Sequence, residues 1–99
     1  MLRFIAVLIG VACLVGCRNP PVQEMSDARQ AIAAAKTAGA TPSTSPELEA
    51  AQLAIARAES HLQAQEYTRA RLAALQAKRH ATAAIANVQQ HADAAPVPH

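Results

Sequence analysis

Ninety-nine residues with a formal charge of +2 leave room for one small domain and give no nucleic-acid footprint, which takes a strongly basic face. Alanine fills 26 positions against one Phe, one Tyr and no Trp, a helix-former's composition with little bulk for packing. Few β-branched or aromatic residues argue against a sandwich or barrel, and 3 Gly supply no phosphate-cradling loop.

The chain opens with a short positive start, Met1-Leu2-Arg3, and an uncharged apolar run from Phe4 to Gly16, which is the layout of a signal peptide. Those 13 residues, 4 through 16, fall short of the roughly 20 that a helix needs to cross a bilayer. Leu14-Val15-Gly16-Cys17 then closes the run with an aliphatic residue, a tolerant position, a small residue and a cysteine. This resembles the lipobox of bacterial lipoproteins. By that resemblance Leu14, Val15 and Gly16 are read by the signal peptidase, residues 1–16 are removed, and Cys17 becomes the first residue. Its thiol then carries diacylglycerol as a thioether, and its new amino group usually carries a further acyl chain. At about 0.8 kcal/mol per buried CH₂, several such chains hold a protein in a membrane essentially for good. Arg18 stands where an Asp tends to retain enteric lipoproteins at the inner membrane, so an outer-membrane protein facing the periplasm is expected. Cys13 leaves with the leader and Cys17 is consumed by lipid, so the mature chain is expected to have neither a free thiol nor a disulfide.

Residues 17–25 read as the lipidated cysteine and a tether, because Pro20-Pro21 favours an extended spacer. The predicted helical domain covers 26–91. Ser26 or Asp27, with Gln30 in capping-box position after Asp27, predicts a first helix over Ala28–Ala38, ended by Gly39. Gly39-Ala40-Thr41-Pro42-Ser43-Thr44-Ser45 reads as a loop of turn-formers. Ser45 then caps, Pro46 takes the first helical position where its missing N–H costs nothing, and Glu47 and Glu49 sit at the positive dipole end. A second helix runs to about Gln65, with Leu48, Ile55 and Leu62 seven apart and Ala51 and Ala58 between them. Nothing near Glu66 breaks a helix, so one continuous rod is the alternative. The apolar set nevertheless changes phase, restarting as Tyr67, Ala70, Ala74, Ala77, Ala81, Ala84 and Val88, which favours a turn near Gln65-Glu66 and a third helix to about Gln90. Residues 92–99 read as a disordered tail.

The fold class expected is therefore all-α, a helical hairpin or small three-helix bundle. Four acids against Arg57 on the second helix and four cations without an acid on the third favour an antiparallel hairpin of those two. The larger apolar side chains expected in the core are Met25, Ile32, Leu48, Leu53, Ile55, Leu62, Tyr67, Leu72, Leu75 and Ile85. So thin a core invites oligomerisation or a protein partner.

No catalytic, metal or cofactor constellation emerges. His61, His80, His91 and His99 contain no i, i+4 pair, and Ser26, Ser43, Ser45 and Ser60 read as caps, a loop residue or a helix-surface residue, with no His and carboxylate arranged to activate them. Neither an enzyme nor a nucleic-acid partner is expected, the latter because stacking aromatics are missing. Arg71, Lys78 and Arg79 form a basic stripe on the third helix, whose candidate partners are peptidoglycan or lipopolysaccharide. Pairing with the second helix is the competing explanation.

Tyr67, Ala70, Ala74 and Ala77 resemble part of the tetratricopeptide pattern, without its aromatic at Ala74, its closing proline near Thr82 or its 34-residue repeat. A fuller resemblance runs through Asp27-Ala28-Arg29 to Ala38-Gly39-Ala40, then Pro46-Glu47-Leu48 with Ala51, Ala58 and Leu62, then Glu66-Tyr67 with Ala70, Arg71, Ala74 and Ala77. These residues, spanning about 26–86, are similar to a family of uncharacterised bacterial envelope proteins known only as a domain of unknown function, often lipoproteins. Gln65 stands where that family has a glycine. The resemblance implies an Ala-rich helical domain and brings no activity with it.

Overall fold

The structure is a computed structural model that describes residues 19–94. Among these residues three helices form an all-α bundle: α1, Val22–Thr37, α2, Pro46–Gln63, and α3, Tyr67–Ala94. The leader, the lipobox with Cys17, and residues 95–99 lie outside the described residues.

Helix α1 starts four residues before the Ser26 cap that the sequence suggested. Pro21 precedes it and donates no side-chain cap, but its carbonyl accepts the first helical bond from the N–H of Met25 at 3.0 Å. The proline ring is fully buried, and its fixed φ suits entry into a helix. Proline restrains the residue before it far more than the residues after it, so Pro20-Pro21 ends a spacer without extending one. Ser26 and Asp27 sit inside the helix and accept from Gln30 at 3.2 Å and Gln23 at 2.8 Å.

The two connections close with the same backbone device. After α1, the N–H of Ala40 bonds the carbonyl of Ala35 and that of Gly39 bonds Lys36, both at 3.0 Å, with Gly39 at φ +111°. This is a Schellman motif, and the buried Ala40 supplies its apolar contact in the same cluster as Ala35. Ser45 then caps α2, its Oγ accepting from the N–H of Leu48 at 3.2 Å, as the sequence indicated. At the other connection the N–H of Glu66 bonds His61 at 2.8 Å and that of Gln65 bonds Leu62 at 3.0 Å. Gln65 takes the left-handed position at φ +61°. The turn therefore forms where the apolar phase changes, and a glutamine occupies the place of the glycine.

Helix α3 runs through Ala92 and Asp93 to Ala94, four residues past the expected end, so 92–94 are helical. Ala and Asp are compatible with a continuing helix, and Ala94 is the last of the described residues.

Among the described residues the buried hydrophobic side chains beside Pro21 are Met25, Ile32, Leu48 and 12 alanines, so neighbouring helix axes come close and the core is narrow. Met25, Ala28, Ala54, Ala58, Ala73, Ala74 and Ala77 form one cluster, and Ile32, Ala35, Ala40, Leu48, Ala51, Ala81 and Ala84 another. These groupings make α2 antiparallel to α3, and α1 parallel to α3. Helix α3 is the common partner: α1 lies mainly on it and touches α2 little. Of the larger side chains expected inside, Met25, Ile32 and Leu48 are buried, while Ile55, Leu62, Tyr67 and Ile85 are half-buried. Leu53, Leu72 and Leu75 are exposed, because alanine-wide seams bring the helices together before the flanking positions are covered.

Candidate functional site

The described chain begins at Asn19, two residues after Cys17, and its carbonyl accepts from Arg71 Nη2 at 3.3 Å. Helix α1 follows within three residues, so the segment from Cys17 to the bundle is short. No helix among the described residues is long and apolar enough to cross a membrane. Residues Leu14, Val15, Gly16 and Cys17 lie outside them.

The basic stripe of α3 faces α1. Arg71 Nε lies 3.4 Å from Glu24 Oε1, and Lys78 Nζ lies 3.9 Å from Asp27 Oδ2. Side chains seven apart on one helix meet carboxylates three apart on its parallel neighbour, and both pairs are partly exposed. Arg79 projects from the outer face of α3 with no ion pair among the described residues. The charge sorting that suggested an α2–α3 attraction is thus resolved differently: the cations of α3 pair with acids of α1. Glu59 of α2 bonds Arg29 of α1 at 3.2 Å, and Glu66 in the turn meets Arg69 at 3.0 Å and His61 Nδ1 at 3.2 Å. Among the described residues no charge pair joins α2 to α3, and alanine seams hold the two helices together.

A cleft of about 350 Å³ opens at the opposite end of the bundle from Asn19, between the α1–α2 loop, the start of α2 and the last turns of α3. Ala40, Ala84 and Val88 give it apolar walls, and Glu47, Asn87 and His91 its polar rim. The sequence held no signal for it. It exists because α3, at 28 residues, outruns α1 at 16 and α2 at 18 and stands beyond the loop that joins them. Among the described residues, no three His, Cys, Asp or Glu side chains are grouped to hold a metal ion. Ser45 is occupied as a cap, Ser26 accepts from Gln30, and Ser43 shares a hydrogen bond with Thr41. None of these hydroxyls contacts a histidine.

No curated protein and no solved structure matches the chain. One family model does, over residues 23–95, which includes all three helices almost entire. The chain belongs to the family described as Domain of unknown function (DUF4398).

Proposed function

We propose that this protein is a lipid-anchored resident of the bacterial cell envelope, held through acyl chains on Cys17, whose bundle acts as a non-catalytic interaction or structural module. The observation that carries this reading is Leu14-Val15-Gly16-Cys17 placed at the end of a 13-residue apolar run, residues 4 through 16, behind Arg3. Small and aliphatic residues before the cysteine give a peptidase access to the scissile bond, and the thiol is the group that takes the lipid. Among the described residues the bundle supplies a surface: its serines lie at a cap, in a loop or on helix surfaces, and its carboxylates mostly serve ion pairs and first turns. With Arg18 in place of the aspartate, the membrane is the outer one and the bundle faces the periplasm.

Metabolic labelling with a fatty acid tests the anchor. Label is expected on the wild type and absent from Cys17→Ala, and label retained on the variant refutes the assignment. The ion pairs at Arg71 and Lys78 count against capture of peptidoglycan or lipopolysaccharide by the basic stripe. Co-sedimentation with either polymer is expected to be the same for the wild type and for a variant with Arg71, Lys78 and Arg79 all changed to Ala.

A further inference from the structure

The two connections of the bundle differ in how firmly the sequence specifies them. Between α1 and α2 lie Gly39, Pro42, a Thr41–Thr44 hydroxyl bond of 2.6 Å and the Ser45 cap, and Pro46 opens α2, so the chain there cannot run straight. Between α2 and α3 lie only Ala64, Gln65 and Glu66, all compatible with a helix and none a breaker. Gln65 is nonetheless held at φ +61°, a conformation that side-chain-bearing residues adopt at a cost. Helix α3 also opens without a side-chain cap: among the described residues no acceptor meets the N–H groups of Tyr67, Thr68 or Arg69.

Straightening this turn relieves both faults at once. Gln65 returns to the right-handed region, and the N–H groups of Tyr67, Thr68 and Arg69 gain the carbonyls of Gln63, Ala64 and Gln65 as ordinary helical partners. The Schellman bonds of Gln65 and Glu66 are exchanged for helical ones, so the backbone loses none. What is given up is the Glu66–His61 contact, while Glu66–Arg69, three apart, survives in a helix. The tertiary contacts are recoverable too, because both apolar clusters join α3 to the α1–α2 unit. A second copy can provide every one of them.

We infer that this chain forms a domain-swapped dimer in which residues 46–94 run as one helix and the α1–α2 unit of each copy packs on α3 of the other. A short, strained hinge joining two units that rebuild the same interface in trans is the arrangement from which such exchange proceeds at low cost. The two long helices cross antiparallel near Gln65, with one rebuilt bundle on each side. This exchange does not depend on the lipid anchor.

The native pair Lys78–Asp27 reports the swap, since it lies within one chain in the closed bundle and between chains in the dimer. Full-length chains grown in ¹⁴N and ¹⁵N are co-refolded in detergent, joined with a zero-length carbodiimide, and mapped by mass spectrometry. The expected result is a concentration-dependent dimer in which half of the Lys78–Asp27 links join a light chain to a heavy one. Gln65→Gly favours the left-handed turn and disfavours the straight helix, about tenfold per hinge, so the dimer dissociation constant rises by about a hundredfold across two hinges. Gln76→Gly, at an exposed position that is helical in both forms, leaves that constant within about threefold of wild type. Links confined to chains of one label, or a dimer equally strong in Gln65→Gly, overturn the inference.

Discussion

Alanine at the seams sets the spacing of this bundle, and Ala77→Leu tests that directly. Ala77 is fully buried in the cluster of Met25, Ala28, Ala54, Ala58, Ala73 and Ala74, where α3 meets both other helices. Leucine adds three carbons to a site walled almost wholly by Cβ atoms. Met25, with Ile55 at the edge, is the long side chain buried there that can turn aside, and it frees too little room, so the helix axes must separate from about 8 Å toward 10 Å. Overpacking of this kind costs about 1–3 kcal/mol, and the upper end applies where nearly all the buried neighbours are alanine. A domain this small starts with about 5 kcal/mol. With a urea slope of about 1 kcal/mol per molar, a loss of about 3 kcal/mol lowers the unfolding midpoint by about 3 M. Urea titration followed by far-ultraviolet circular dichroism measures this, with Ala86→Leu on the exposed face of α3 expected within about 0.5 kcal/mol of wild type. A midpoint for Ala77→Leu equal to or above wild type refutes the close-packed seam.

Other substitutions probe the ends of the helices and the surface. Ser45→Ala removes the acceptor for Leu48 N–H and is expected to cost about 1 kcal/mol in the same titration. At Gly39→Ala the added Cβ meets nothing within 4 Å, so the expected loss of about 1–2 kcal/mol comes from φ +111° alone. A loss below half of that shows that the connection rearranges. A double-mutant cycle of Glu24→Gln and Arg71→Gln is expected to give a coupling of no more than about 1 kcal/mol that shrinks on adding salt, since both side chains are about one-third exposed.

What could be read from the chain was what local chemistry encodes. The start of α2 is announced by Ser45, Pro46 and two glutamates within five residues, and the end of α1 by Gly39, because capping and left-handed backbone are settled by neighbours in sequence. The α2–α3 turn was legible only through the shift in apolar phase, since Gln65 carries no turn signature of its own. The start of α1 left no local mark: no side chain caps it, and burial of Pro21 against the bundle is a tertiary effect. Partnership of the charges was equally hidden. Counting signs along the chain pointed α3 toward α2, yet Glu24 and Asp27 reach Arg71 and Lys78 because α1 lies parallel to α3, which no local pattern states. Exposure of Leu53, Leu72 and Leu75 is hidden from the sequence for a related reason, since hydrophobicity does not set depth in a bundle too narrow to enclose them. Of the candidate sites, the cleft between Glu47 and His91 arises from a difference in helix length and has no motif.

The intact mass of the protein recovered from the membranes of a producing bacterium tests the account most directly. The account predicts a chain lacking residues 1–16, beginning at Cys17, and heavier than its sequence by a diacylglyceryl group, with a further amide-linked acyl chain the usual addition. A mature chain with an unmodified Cys17, or one that still begins at Met1, contradicts it.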